Sequence, residues 1–255
     1  MKSPSLLKST AALLFLAVLS LLSAFSQDSR QMPGEFQAVK ELSLQYLIQL
    51  PEGYGESGNA SDSWPLIVFL HGAGERGSNL EQLKKHGPPK LIEAGRRFPA
   101  IVVSPQCPAD SWWPAEPVLE LIDHLENTHR VDEERIYLTG LSMGGYGTWA
   151  FASRNPDRFA AIIPICGGGV PYQMRKLTSL PIWVFHGKKD TAVPFDESDR
   201  LVTALKQHGN QQVKFTVYPE AGHDSWTAAY ETPELWDWLF AQKRSATPAA
   251  ETGAE

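Results

Sequence analysis

Thr139-Gly140-Leu141-Ser142-Met143-Gly144-Gly145 joins two different hydrophobic patterns. Before it, Arg135 to Thr139 is apolar and β-branched, which predicts a short buried strand. After it, Tyr146 to Ala152 can bury one helical face, and Asn155-Pro156 stops the helix. The central G-x-S-x-G therefore sits on a strand-to-helix turn, the context in which its serine is lifted clear of the backbone. Such a turn strains the serine, and side chains two residues to either side would collide; Gly140 and Gly144 remove that collision. The turn also leaves the Met143 N–H at a helix N-terminus, where it can hold a developing oxyanion. A serine hydroxyl is a poor nucleophile until a base takes its proton, so the rest of the chain has to supply one.

The chain has 255 residues, of which 42% are apolar and 20% charged, as suits a globular α/β protein. A net charge of −6 with no basic run argues against a nucleic-acid surface. Lys2 and Lys8 precede the apolar run Ala11 to Leu22, and Ala24-Phe25-Ser26 offers the small residues a signal peptidase reads. Residues 1–26 are thus expected to be a cleaved signal peptide, giving a secreted or periplasmic protein with no stable membrane insertion. Residues 27–243 are expected to form a single domain and 244–255 a small, polar, disordered tail. Only Cys107 and Cys166 occur; a disulfide and two buried thiols both fit. Neither has metal-ligand spacing, and no pattern suggests a metal, nucleotide or flavin cofactor.

Pro65 to Leu70 reads as a fully buried strand running into His71-Gly72-Ala73-Gly74-Glu75-Arg76-Gly77. A glycine-rich loop after a buried strand can aim backbone amides into a site. Ala73 is the candidate second oxyanion donor, with Gly72 in reserve; the lysine and hydroxyl of a phosphate-binding loop are absent. Asp190 follows the strand Pro181 to Phe185 closely enough to orient a histidine; its rivals Asp196 and Asp199 fall in the next predicted helix. His223 alone of the seven histidines follows the last strand, Val213 to Tyr218. Trp112 and Trp113 in a polar loop suggest an aromatic binding wall or a cap on the core. His86, before Pro88-Pro89, and Trp226 are further candidates for substrate contact.

Five buried strands between Leu66 and Tyr218, alternating with helices, predict a mostly parallel sheet covered on both faces. Loops at the carboxyl strand ends then build the site. Ala73, Ser142, Asp190 and His223 all lie there. The connection after Cys166 is too short for a large lid, so the site should be open.

His71-Gly-Ala-Gly-Glu-Arg-Gly77, Gly140-Leu-Ser-Met-Gly-Gly145, His186-Gly-Lys-Lys-Asp190 and Ala221-Gly-His223 together resemble the α/β-hydrolase superfamily, across Leu42 to Gln242. Within it they are similar to the carboxylesterases and predicted peptidases near the polyhydroxybutyrate-depolymerase, feruloyl-esterase and phospholipase/carboxylesterase groups. The resemblance implies Ser142 as nucleophile, His223 as general base and then acid, and Asp190 as the group that fixes the tautomer of His223. It implies the amides of Met143 and Ala73 as the oxyanion hole. His71-Gly-Ala-Gly departs from the lipase-type HGGG, and the departure falls at the second donor.

The function these residues support first is an exported serine carboxylesterase acting on small or polymer-attached esters, feruloyl or acetyl groups on polysaccharide among them. A serine peptidase using the same three side chains is the second reading, and a non-catalytic binding module on a hydrolase scaffold the third. The sequence leaves the acyl group, the alcohol and the oligomeric state open.

Overall fold

The structure, a computed structural model, describes residues 43–55 and 63–244. The expected signal segment at 1–26 and residues 245–255 of the expected tail lie outside them. All described residues belong to one compact unit that begins at Leu42.

The elements follow the hydrophobic patterns of the chain. Strand β1 (Tyr46–Gln49) precedes β2 (Trp64–Leu70), helix α1 (Gly87–Glu93) and β3 (Ile101–Pro105). Then come α2 (Ala115–Thr128), β4 (Val131–Leu141), α3 (Met143–Arg154) and β5 (Ala161–Ile165). β6 (Ile182–Gly187), α4 (Asp196–Gln207), β7 (Val213–Tyr218), α5 (Trp226–Glu231) and α6 (Pro233–Phe240) complete the unit.

The seven strands form one sheet in the order β1-β3-β2-β4-β5-β6-β7, and only the β1–β3 pairing is antiparallel. From β2 the chain steps outward to β3 and then crosses back to place β4 on the other side of β2. The strand order therefore reverses between β2 and β4, and their carboxyl ends open a crevice there.

The period of two within each strand divides the core. Leu66, Val68 and Leu70 of β2 pack with Val118, Ile122 and Leu125 of α2, Trp149 of α3 and Leu201 of α4 on one face. Ile67 and Phe69 pack on the other face with Tyr230 of α5 and with Leu235, Trp236 and Leu239 of α6. Each such side chain contributes about 1.5–3 kcal/mol by leaving water. Helices thus cover both sides of the sheet, as expected of a parallel sheet with apolar central strands.

Several local expectations change. Six strands, not five, lie between Leu66 and Tyr218. The sixth, β7, is half-buried because it forms the sheet edge. β4 starts at Val131, extending the expected strand through half-buried Asp132 and exposed Glu133 and Glu134. Leu80–Lys85 is a 3₁₀ helix, and Pro88-Pro89 opens α1 instead of only interrupting a longer helix. Cys107 and Cys166 are both free and buried, each in the core of a different face of the sheet. That separation excludes the disulfide and leaves two buried thiols. Gly167 to Leu180 carries only one 3₁₀ turn, Pro171–Lys176, so no large lid is inserted there.

Candidate active site

Ser142 stands at the junction of β4 and α3 with φ 52° and ψ −115°, a conformation a non-glycine residue adopts only under constraint. Such a residue stores on the order of 1–3 kcal/mol of strain. The constraint is packing: a Cβ on Gly144 would lie 1.9 Å from the Leu70 carbonyl oxygen, and one on Gly140 2.4 Å from that of Gly144. The two glycines let α3 start directly against the end of β2.

Two more loops bring their side chains to this turn. The Lys188 N–H donates to the Tyr218 carbonyl and the Lys189 N–H to the Ala221 carbonyl, both at 2.9 Å, so the loops after β6 and β7 are joined along their backbones. Asp190 and His223 then meet: His223 Nδ1 lies 2.7 Å from Asp190 Oδ2. His223 Nε2 lies 2.9 Å from Ser142 Oγ. Asp190 is buried, and its Oδ1 accepts the backbone N–H groups of Ala192 and Val193, each at 2.9 Å. A carboxylate held this way can only accept, so the ring proton of neutral His223 sits on Nδ1 and its bare Nε2 faces the serine hydroxyl.

The sequence reading did not single out His186. It is fully buried, and its Nε2 lies 3.0 Å from the Val193 carbonyl and 3.3 Å from Asp190 Oδ2. Because a carbonyl can only accept, Nε2 carries the proton, and Nδ1 accepts from Ser198 Oγ at 2.7 Å. Burial lowers the His186 pKa, which keeps the ring neutral. The signal in the sequence was an i, i+4 pair, His186 and Asp190, at the end of an apolar strand.

On the other side of Ser142, the His71–Gly77 loop is fixed by a second buried histidine. His71 Nε2 accepts the Cys107 N–H at 2.9 Å, so Nδ1 carries the proton and donates to the Gly72 carbonyl at 2.6 Å. Burial lowers this histidine's pKa to about 4. Gln106 Nε2 donates to the carbonyls of Glu75 and Asn79, tying the loop to the segment after β3. The Gly72 N–H donates to Glu75 Oε2 at 3.0 Å and is already engaged. The N–H groups of Ala73 and Met143 donate to no acceptor among the described residues. Of the two loop candidates, Ala73 is therefore the amide left available beside the serine.

Ser142, His223, Ala73, Glu75, His86 and Trp226 share one cleft of about 210 Å³. The rings of Trp226 and His223 meet at right angles with centroids 5.2 Å apart, and the Trp226 Nε1–H donates to His86 Nδ1 at 3.3 Å. Trp112 and Trp113 lie elsewhere. They line a second cavity of about 270 Å³ along α3, which reaches the serine turn only through Met143. Trp113 is buried and donates its indole N–H to the His71 carbonyl at 3.0 Å, so it caps the core and supports the loop. Trp112 is 65% exposed, its ring perpendicular to that of Tyr146.

Among the described residues, Cys166, Asp190 and His223 are the one group whose ligand atoms approach closely enough for a metal ion. Their chemistry suits a proton relay better. Both Asp190 oxygens already accept N–H groups, and burial pushes the Cys166 thiol up to about 12, so it holds its proton. The arrangement can deprotonate a hydroxyl, stabilise the imidazolium that results, and offer two N–H groups to an oxyanion.

The sequence profile of the dienelactone hydrolase family matches residues 115–246, a range that contains Ser142, Asp190 and His223 but not the Ala73 loop. Among solved structures, the chain resembles a thermostable esterase at 35% identity and a TM-score of 0.68, over 79% of this chain and 60% of that one. A bifunctional acetylxylan esterase/xylanase of Neocallimastix patriciarum is 28% identical over 169 residues, 62% of this chain and 23% of that protein. A 2-hydroxy-6-oxononadienedioate/2-hydroxy-6-oxononatrienedioate hydrolase of Paraburkholderia xenovorans (strain LB400) is 28% identical over 169 residues, 61% of this chain and 56% of that protein. The matched region thus spans 23% of the first curated relative's length and 56% of the second's. Among the described residues, no helix is long and apolar enough to cross a membrane.

Proposed function

The chain belongs to the dienelactone hydrolase family, and from that premise we propose that it is an exported serine hydrolase that cleaves carboxylic esters through an acyl-enzyme. The observation that carries this reading is the series Ser142 Oγ, His223 Nε2, His223 Nδ1 and Asp190 Oδ2, with contacts of 2.9 and 2.7 Å. The likeness to an esterase at 35% identity supports the same chemistry.

In this reading His223 Nε2 takes the Ser142 proton as Oγ attacks the ester carbonyl carbon. The carbonyl oxygen becomes an oxyanion between the N–H groups of Met143 and Ala73. Collapse breaks the bond to the alcohol oxygen, which leaves with the proton from His223. Water, deprotonated by the same nitrogen, then attacks the acyl-enzyme and releases the acid and Ser142. Each oxyanion donor is worth roughly a hundred- to a thousandfold in rate. The acetylxylan esterase relative makes acyl groups on polysaccharide the first substrates to try. Export rests on residues 1–26 alone, and N-terminal sequencing of the mature protein tests it.

The test of the chemistry is a panel of p-nitrophenyl esters, acetylated and feruloylated sugars and short peptides, run on the wild type and Ser142→Ala. The expected result is ester turnover that a serine-directed phosphonate and Ser142→Ala both abolish. Turnover by Ser142→Ala at the wild-type rate overturns the reading, and cleavage of peptides in preference to esters replaces it with the peptidase.

A further inference from the structure

Glu75 is a buried carboxylate in the wall of the serine cleft, and the mechanism above does not use it. Its Oε2 holds the Gly72 N–H, while its Oε1 accepts no hydrogen bond among the described residues and lies 3.8 Å from His86 Nε2. Trp226 donates to His86 Nδ1, so neutral His86 carries its proton on Nε2, the nitrogen that faces Glu75. A bare acceptor and an N–H donor thus face each other across a gap too long for a direct hydrogen bond. Both groups share the cleft with Ser142.

We propose that Glu75 Oε1 and His86 Nε2 form a two-point subsite for a hydroxyl group on the alcohol part of the substrate, so that the site prefers esters of partly acylated sugars or polyols. The proposal rests on the esterase reading and names its substrate class. A hydroxyl both donates and accepts, so one oxygen can take the His86 N–H and give its proton to Glu75. A carboxylate would be repelled by Glu75, and an alkyl group would leave both polar groups unpaired in a half-dry cleft. The alcohol side is indicated by chemistry: the leaving oxygen takes its proton from His223. The rings of His223, Trp226 and His86 follow one another at 5.2 and 5.4 Å along that wall.

The pair's fixed position makes it selective. Glu75 is held by the Gly72 amide, and His86 by the Trp226 indole, so little ordering is left to the moment of binding. A hydrogen bond to a charged partner, lost with its mate left unpaired, corresponds to about a ten- to hundredfold preference.

The experiment compares kcat/KM for 2-hydroxyethyl acetate and 2-methoxyethyl acetate, which share an acyl group and differ by capping the hydroxyl. Both are followed by acid release in the wild type, His86→Phe and Glu75→Gln. The expected wild-type ratio favours the hydroxyl ester ten- to a hundredfold and falls to about one in His86→Phe. A wild-type ratio near one overturns the proposal whether or not the variants fold, and so does a ratio that His86→Phe retains. In those cases hydrolysis of p-nitrophenyl acetate still supports the esterase reading; a wild type that hydrolyses no ester ends both.

Discussion

His186 Nε2 lies 3.3 Å from Asp190 Oδ2, the same carboxylate oxygen that meets His223 Nδ1 at 2.7 Å. One carboxylate thus has four N–H groups around it: those of Ala192 and Val193 on Oδ1, and two imidazoles at Oδ2. Those contacts leave Asp190 one orientation, and through it His223 has one too. His186 is in this sense a positioning residue, tied back to α4 through Ser198.

Replacing His186 with Leu should therefore lower kcat more than it raises KM. The change leaves the Val193 carbonyl and one side of Asp190 without a donor, and misplacement by a fraction of an ångström can cost on the order of a hundredfold. His186→Gln, whose amide can still donate from the same place, should recover most of the loss. Steady-state kinetics with a p-nitrophenyl ester decide this. Equal kcat in Leu and Gln variants of equal Tm would mean the histidine only fills space.

Asp190→Asn should retain the fold and lose most of the activity. The amide oxygen is needed by the N–H groups of Ala192 and Val193, which turns the amide NH₂ toward His223. His223 Nδ1 must then accept, its proton moves to Nε2, and the nitrogen facing Ser142 is no longer a base. The same wrong-tautomer effect lowers kcat by about 10⁴ in the serine-protease case. An Asp190→Asn variant whose kcat stays within about tenfold of the wild type would remove Asp190 from the series.

The strands and the serine turn were legible because they depend on neighbours in sequence. An apolar run that leads into a glycine-containing turn, as after Leu70 and after Leu138, reads the same in one dimension as in three. The half of β4 from Val131 to Arg135 did not, because its charged residues are carried by backbone pairing from Trp64 to Val131 and not by burial. Helix α5 is six residues long and too short to show a period. Nor was the engagement of Gly72 legible: it depends on Glu75, and a glutamate in a glycine-rich loop reads as solvated until Gln106 and His71 draw that loop inward.

His71 makes stability depend on pH in a defined direction. Burial holds its folded-state pKa at about 4, below the unfolded value of 6.5. Above pH 6.5 the ring is neutral in both states and its contribution is complete. As pH falls below 6.5 the unfolded chain takes up a proton that the folded chain refuses, and stability drops until about pH 4. The span corresponds to about 3 kcal/mol. His186, also lowered by burial, adds to the same slope. Urea midpoints at pH 7, 5.5 and 4.5 should fall more steeply for the wild type than for His71→Asn; parallel slopes would mean the folded ring takes up a proton as readily as the unfolded one.

The serine turn should be far less tolerant of a methyl group than the loop facing it. Alanine at 144 would place its Cβ 1.9 Å from the Leu70 carbonyl oxygen, where neither atom can rotate away because the Cβ is fixed by the α3 backbone and the oxygen is part of the chain at the end of β2. Either α3 withdraws from the sheet or the turn loses its shape, and overpacking of this kind costs upward of about 1–3 kcal/mol. Alanine at 74 meets nothing within 4 Å, and Gly74 does not have the positive φ that strains a side chain. Gly74→Ala should stay within about 0.5 kcal/mol of the wild type. Thermal unfolding of the two variants checks the contrast. A Gly144→Ala protein with wild-type Tm and an intact reaction with phosphonate would mean that α3 can move off β2 at little cost, and that the strain at Ser142 is not imposed by this contact.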